Sequence, residues 1–405
     1  MLKIVSKISY KLSINAIYVL FSIVADQLLS PVEFGKFSIL LALQILIFNF
    51  VDIFNFKYLL GEFSSPLRKI QLKKFFSFKL LWGWLFIGLL TCLYIFYNIS
   101  FFIVIILFLI NYLQLLSSTL ATYIFSNEND SKLLVSNGLG FIMSALYISI
   151  FYFIEKSFSL EVLFIAILIY RVSELFYLYF IGFSGLKLRI SHIDTSIKKK
   201  DFKKSFSFYL QIIVSIGGAK LTIIYLPLIL SYNDISIIAT YEYVVAIPLF
   251  FLSVLTMSTY SKLVHNQSML IANIKKYQLF IRKYYLKASL VIVFFIIIQT
   301  LYIVYDKQSL YPYIGFLIIH DILLVATSIQ GYILFFWKMN KIVIILSFMV
   351  LFIKNILILI FITSYGLYGF FIASLIVELV VLVYIHIKVS QKVKILSNDS
   401  KGSAK

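Results

Sequence analysis

Six basic side chains (Lys57, Lys79, Arg171, Lys220, Lys287, Lys354) and six acidic ones (Asp26, Asp52, Glu174, Glu242, Asp321, Glu378) stand inside long apolar runs of this sequence. A charge facing lipid at a helix centre costs about 2.5–3.5 kcal/mol on insertion scales, so the ones at mid-depth must face a cavity or a partner. A cation placed there can neutralise an anion in transit, and a carboxylate can take up and release a proton or a sodium ion. Lys57, Lys79 and Lys287 lie near span ends, where a lysine stem reaches water, although Lys57 also counts as a substrate-binding candidate. Arg171, Lys220 and Lys354 lie near mid-span and are the main candidates for binding an anionic group. Glu174 follows Arg171 by three residues, the spacing of a same-face ion pair, whereas Lys220 and Lys354 have no acid within four positions. Asp52, Asp321, Glu378 and Glu174 are candidates either for coupling to an ion gradient or for balancing a buried base. His320, beside Asp321, could extend a proton relay, although a lone histidine is more often a packed, hydrogen-bonded residue. No ligand spacing for zinc is present, and no resident cofactor is expected beyond coupling to H+ or Na+.

The elements that must position these groups are membrane spans. Of 405 residues, 62% are hydrophobic and 13% charged, far more apolar than soluble domains. Apolar runs of about 18–25 residues cross a ~30 Å hydrocarbon core as helices, and the short alternating segments of a transmembrane barrel are not seen. Twelve spans are expected at 8–29, 37–60, 75–97, 101–124, 133–154, 162–183, 206–230, 237–260, 284–305, 313–336, 342–363 and 370–387. Cys92, the single cysteine, excludes an internal disulfide and a cysteine-based metal site. The N-terminal lysines lead straight into a full-length span with no small-residue cleavage site, so a retained first helix is expected.

Charge sets the orientation. Of 36 basic residues, 27 fall in the tails, the connections sharing their side and, as Lys11, the very start of the first span, against Lys36, Lys156 and Lys307 opposite. Both termini are therefore expected in the cytoplasm, and the net charge of +19 suits a cytoplasmic face and anionic headgroups rather than nucleic acid. A basic segment, 184–205, follows six spans, so two halves running in the same direction are expected: a lobe over 1–183, the linker 184–205, a lobe over 206–387 and a tail over 388–405. Gly217, Gly218 and Pro227 are read as a hinge within the seventh span, with close helix packing as the alternative for the glycines.

The first hairpin reads Leu28-Leu29-Ser30-Pro31-Val32-Glu33-Phe34-Gly35-Lys36-Phe37-Ser38, and the second half carries a similar turn from Ile229 to Glu242. The first of these resembles the LGPxxxGxfs turn of the polysaccharide transporters, the group that includes the O-antigen flippases (Wzx type) of the MOP (multidrug/oligosaccharidyl-lipid/polysaccharide) flippase superfamily. Ser30 replaces the usual glycine, and Lys220-Leu221-Thr222 stands where many relatives carry Arg-x-Asp, keeping the cation and losing the acid. The resemblance implies an all-α membrane protein with about twelve transmembrane helices, in two parallel six-helix lobes around a central cavity, as in multidrug and toxic-compound extrusion (MATE) transporters. It also implies a non-enzymatic flippase in a bacterial inner membrane. Its substrate would be undecaprenyl-pyrophosphate-linked oligosaccharide for O-antigen or a similar surface polysaccharide, with membrane lipids, a polysaccharide polymerase and chain-length proteins as further partners. Two alternatives stand beside it: a membrane polymerase or ligase, disfavoured by the short connections on the outer side, and a multidrug antiporter of the same fold.

Overall fold

The computed structural model describes residues 17–63, 67–95, 97, 99–126, 130–155, 158–183, 197, 199–265, 274–329, 333–334 and 339–402. Among these residues the regular elements are helical: α1 (Ile17–Leu28), α2 (Pro31–Val51), α3 (Phe56–Phe63), α4 (Arg68–Ile95), α5 (Phe101–Ser126), α6 (Asp130–Glu155), α7 (Leu160–Phe183) and α8 (Lys199–Tyr225). They continue with α9 (Tyr232–His265), α10 (Ile274–Tyr305), α11 (Ile314–Ser328), α12 (Asn340–Tyr365) and α13 (Leu367–Gly402). Ten helices, α2, α4–α7 and α9–α13, are long and apolar enough to cross a membrane, α11 together with the 3-10 turn Gln308–Tyr313 before it. The first and seventh expected spans correspond to α1, described from Ile17 onward, and to α8.

Local chemistry moves several boundaries away from the hydropathy reading. The second span begins at Pro31 rather than 37, because Ser30 and Glu33 form a capping box: Glu33 N–H donates to Ser30 Oγ (3.3 Å) and Ser30 N–H to Glu33 Oε2 (3.3 Å). Proline at the first helical position costs nothing, since its missing N–H would be unpaired there. The same pattern recurs at α9, where Asp234 N–H donates to Ser231 Oγ (3.2 Å) and Ser231 N–H to Asp234 Oδ2 (3.3 Å). The second span also ends early. Its helix stops at Val51, and after Asp52 the chain restarts as α3, with Tyr58 N–H donating to Asn55 Oδ1 (3.3 Å). Lys57 therefore sits on this short helix and not on a spanning one; its side chain lies outside the described residues. Pro227 is likewise not within the seventh helix, which stops at Tyr225, but in the 3-10 turn Leu226–Leu228 that follows; its ring cannot continue an α-helical hydrogen-bond ladder. Gly217 and Gly218 do lie on α8.

The chain divides into two compact units, 1–225 and 226–405. The expected linker, 184–205, falls largely outside the described residues, and α8 after it groups with the first unit. Lys74 of α4 pairs with Asp201 of α8 (2.7 Å), and Tyr209 of α8 donates its hydroxyl proton to the Phe50 carbonyl of α2 (2.7 Å). In the first unit, α6 and α7 pack closely, with a Cβ at Gly140 lying 2.7 Å from the Tyr170 ring. In the second unit, α12 and α13 are joined through Gly366 (φ 56°, ψ −137°) and Gly369, where a Cβ would overlap the Phe361 carbonyl. Backbone at such positions cannot yield as a side chain can. We expect Gly366→Ala and Gly369→Ala each to destabilise the protein by about 1–3 kcal/mol, read as a lowered Tm of the purified protein in detergent.

Candidate functional site

Two buried polar clusters stand out, one in each unit. In the first unit Asp52, at the broken end of α2, pairs with Lys79 of α4 at 2.5 Å, and Lys79 Nζ donates to Ser118 Oγ of α5 (3.4 Å). Lys79 is only 2% exposed, so it does not reach water as its place near the span end suggested; the α2 break brings a carboxylate to it instead. Lys287 is exposed, in keeping with that expectation.

The next serine on α5, Ser117, donates to Glu174 Oε2 (3.2 Å). Glu174 in turn accepts from Arg171 Nη1 (2.8 Å), while Arg171 Nη2 donates to Tyr18 OH (2.8 Å). Tyr18 OH donates to Gln114 Oε1 (2.7 Å), and Gln44 Nε2 donates both to that oxygen (2.9 Å) and to Tyr18 OH (3.2 Å). The rings of Tyr18 and Tyr170 lie 5.6 and 5.1 Å from the guanidinium carbon. Consecutive serines thus join two ion pairs, Asp52–Lys79 and Arg171–Glu174, whose charges cancel inside the unit. Of the two roles the sequence left open for Arg171, the geometry shown is the ion pair with Glu174. Tyr18, Gln44, Gln114 and Ser117 were not singled out by charge; the signal that could have found them is an uncharged polar side chain near mid-span, which needs a hydrogen-bond partner in lipid.

In the second unit, His320 Nε2 of α11 lies 2.7 Å from Glu378 Oε1 of α13. Asp321 is fully buried, with His320, Glu378 and Gln299 of α10 as its electrostatic neighbours, and Tyr241 of α9 beside it. Gln299 gives one Nε2 proton to the Val244 carbonyl (2.9 Å) and has the other for the Asp321 carboxylate beside it. Beyond the Gln299 amide, neither oxygen of Asp321 has a donor among the described residues, and Gln299 Oε1, Glu378 Oε2 and Ser374 Oγ, one turn before Glu378, have no hydrogen-bond partner there. Buried oxygens normally meet a donor, so a group of them without one suits an added positive charge, either a proton on a carboxylate or a hard monovalent cation. The cluster joins the sequence candidates Asp321 and Glu378, and adds Gln299 and Ser374, which carry no charge to flag them.

Two cationic candidates remain. Lys220 is half-buried near the end of α8. Lys354 is half-buried at the middle of α12, with its ammonium 6.0 Å from the Phe370 ring.

No protein-family model and no curated protein matches the sequence. Solved structures do. An outward-facing multidrug resistance transporter of the MATE family and MOP superfamily has a TM-score of 0.61 at 14% identity, over 98% of this chain and 96% of that one. A MATE transporter in the straight conformation gives 0.57 at 13% identity, over 98% and 95%. A MOP superfamily transporter from Pyrococcus furiosus, for which reversed polarity of the binding pocket suggests a different function, gives 0.58 at 14% identity, over 98% and 96%. With ten helices among the described residues long and apolar enough to cross a membrane, and matches covering nearly its whole length, the chain is a multi-pass membrane protein with the fold of the MATE transporters of the MOP superfamily.

Proposed function

We propose that this protein is an ion-coupled flippase that moves undecaprenyl-pyrophosphate-linked oligosaccharide units, of O-antigen or a similar surface polysaccharide, from the inner to the outer leaflet of a bacterial inner membrane. The observation that carries this reading is the balance of charge along the spans. Asp52 is met by Lys79 and Glu174 by Arg171, whereas mid-span Lys354 has no ion pair among the described residues. A transporter with a deep cation left over favours an anionic cargo, and a pyrophosphate supplies the charge. The donorless oxygens around Asp321 suit the coupling ion. The reversed pocket polarity described for the Pyrococcus furiosus transporter, which suggests a different function for it, supports functions other than multidrug export on this fold.

A second reading is favoured by Asp321 itself. Among the spans' buried acids it lacks a lysine or arginine partner, which would suit export of a cationic drug, as in the multidrug members of the fold. Deleting the gene in a host making the matching polysaccharide separates the two. We expect loss of surface polymer, accumulation of complete single lipid-linked units on the inner leaflet, and restoration by wild type but not by stably inserted Lys220→Gln or Lys354→Gln. Intact polymer together with lost efflux of a cationic dye would replace the flippase reading by the drug-export one, and single units reaching the outer leaflet unjoined would point to a polymerase.

A further inference from the structure

Helix α10 has little protein cover: 28% of its most apolar window is buried, against 61% for α9. Its exposed face is apolar from Leu290 through Val293, Phe294, Ile297 and Leu301 to Val304, and ends on the exposed ring of Tyr305. A continuous apolar surface of this length faces hydrocarbon, and a tyrosine marks its margin. Lys287 stands 18 residues before Tyr305, which at 1.5 Å per residue is about 27 Å, close to the thickness of a ~30 Å core. Lys287 and the residues just before it therefore lie at headgroup depth on the other side.

The face changes chemistry at that depth. Lys276, Lys283 and Lys287 are exposed and fall within about 40° of one another at 3.6 residues per turn. Leu279, Leu286 and Leu290, all exposed, run along the flank of this stripe, and exposed Arg282 borders the leucines on their other side. Between Glu242 and Asp306 the sequence has six lysines and arginines and no acidic residue. The helices packed on α10 carry their acids elsewhere: Asp234 and Glu242 in the first third of α9, whose last turn leads toward α10, and Asp321 at the middle of α11. Arg282, Lys283 and Lys287 make no ion pair among the described residues. Cations at headgroup depth, left unanswered by the protein and set beside exposed leucines, match a molecule that is anionic at one end and apolar at the other.

We propose that this flank of α10 is a docking surface for a phospholipid carrying two phosphates, of the diphosphatidylglycerol class, in the leaflet at the basic end of the helix. The phosphates sit among Arg282, Lys283 and Lys287, and the acyl chains lie along Leu286, Leu290 and the apolar face beyond. Three cations within about 8 Å of helix axis exceed the charge of one phosphate and suit two. The lipid is a resident of one headgroup layer, and its docking is independent of which cargo the protein moves.

The test titrates the full chain, purified in detergent, with diphosphatidylglycerol, phosphatidylglycerol or phosphatidylcholine, and counts the lipids retained by native mass spectrometry. We expect diphosphatidylglycerol to bind roughly tenfold more tightly than either of the others. The triple variant Arg282→Gln/Lys283→Gln/Lys287→Gln should weaken it roughly 100-fold, equivalent to about 2.7 kcal/mol, whereas Lys283→Arg/Lys287→Arg should keep it. Removing three cations from the start of α8, as Lys200→Gln/Lys203→Gln/Lys204→Gln, should change binding by no more than about threefold. The lipid should also raise the Tm of wild type and of the α8 variant but not of the α10 variant, whose Tm without lipid should match wild type. Should the triple variant misfold, Lys283→Gln alone, with an expected loss of about fivefold, decides the same question. Equal losses in the α8 and α10 variants mean that net charge rather than this surface recruits the lipid, and overturn the proposal. Equal binding of phosphatidylglycerol or unchanged binding in the α10 variant also overturns it. Displacement by equimolar farnesyl diphosphate gives the surface to a prenyl-linked cargo instead, and overturns it as well.

Discussion

Arg171→Met should be among the most damaging single substitutions in the first unit, costing about 3–5 kcal/mol of stability, because it leaves the Glu174 carboxylate buried without its cation. The loss extends beyond one pair. Arg171 Nη2 also anchors Tyr18, and Tyr18 anchors Gln114 and Gln44, so α1, α2, α5 and α7 lose a shared junction. Glu174→Met alone should be similarly harmful, leaving a guanidinium in the core. The double variant Arg171→Met/Glu174→Met should recover most of the loss, since apolar side chains of similar volume often replace a buried pair without cost. Thermal unfolding of the four proteins in one detergent gives the coupling between the two sites. Additive losses in the double variant would mean that the pair is not the organising contact. If Arg171 instead serves the cargo directly, the double variant will be stable and still fail to transport, so stability and transport must be measured on the same proteins.

Asp321→Asn is expected to uncouple transport while sparing the fold. The amide is nearly isosteric with the carboxylate and brings donors to a cluster that has several oxygens without one, so expression and Tm should be equal to or above wild type. Gradient-driven translocation in vesicles should fall roughly 100-fold or more, a loss of about 2.7 kcal/mol in the driven step, with cargo binding largely retained. Asp321→Glu, which keeps the charge and adds a methylene to a fully buried site, should be the less stable of the two and retain part of the activity. Wild-type rates for Asp321→Asn under an imposed gradient would remove Asp321 from the coupling step. Glu378→Gln then tests whether the neighbouring carboxylate acts alone, because it keeps an oxygen for the His320 contact.

Much of this protein is legible from the sequence by itself. Apolar runs of spanning length, interrupted by turns, specify helices because lipid leaves the backbone no other way to pair its polar groups. Ser30-Pro31 and Glu33 specify a helix start through a capping pattern that is wholly local, and the same applies to Ser231 and Asp234. The spacing of Arg171 and Glu174 places them on one face of one helix, so their pairing could be anticipated. Which distant side chains meet was decided by the tertiary structure. The join of Asp52 to Lys79 depends on α2 breaking before α3, the Tyr18–Gln44–Gln114 junction on three helices converging, and the company of Asp321 on Gln299 and Glu378 arriving from α10 and α13. The physical reason is common to all three. Spans that are apolar nearly all round carry almost no periodic signal to mark an inward face, so only packing selects the few polar side chains that turn toward one another.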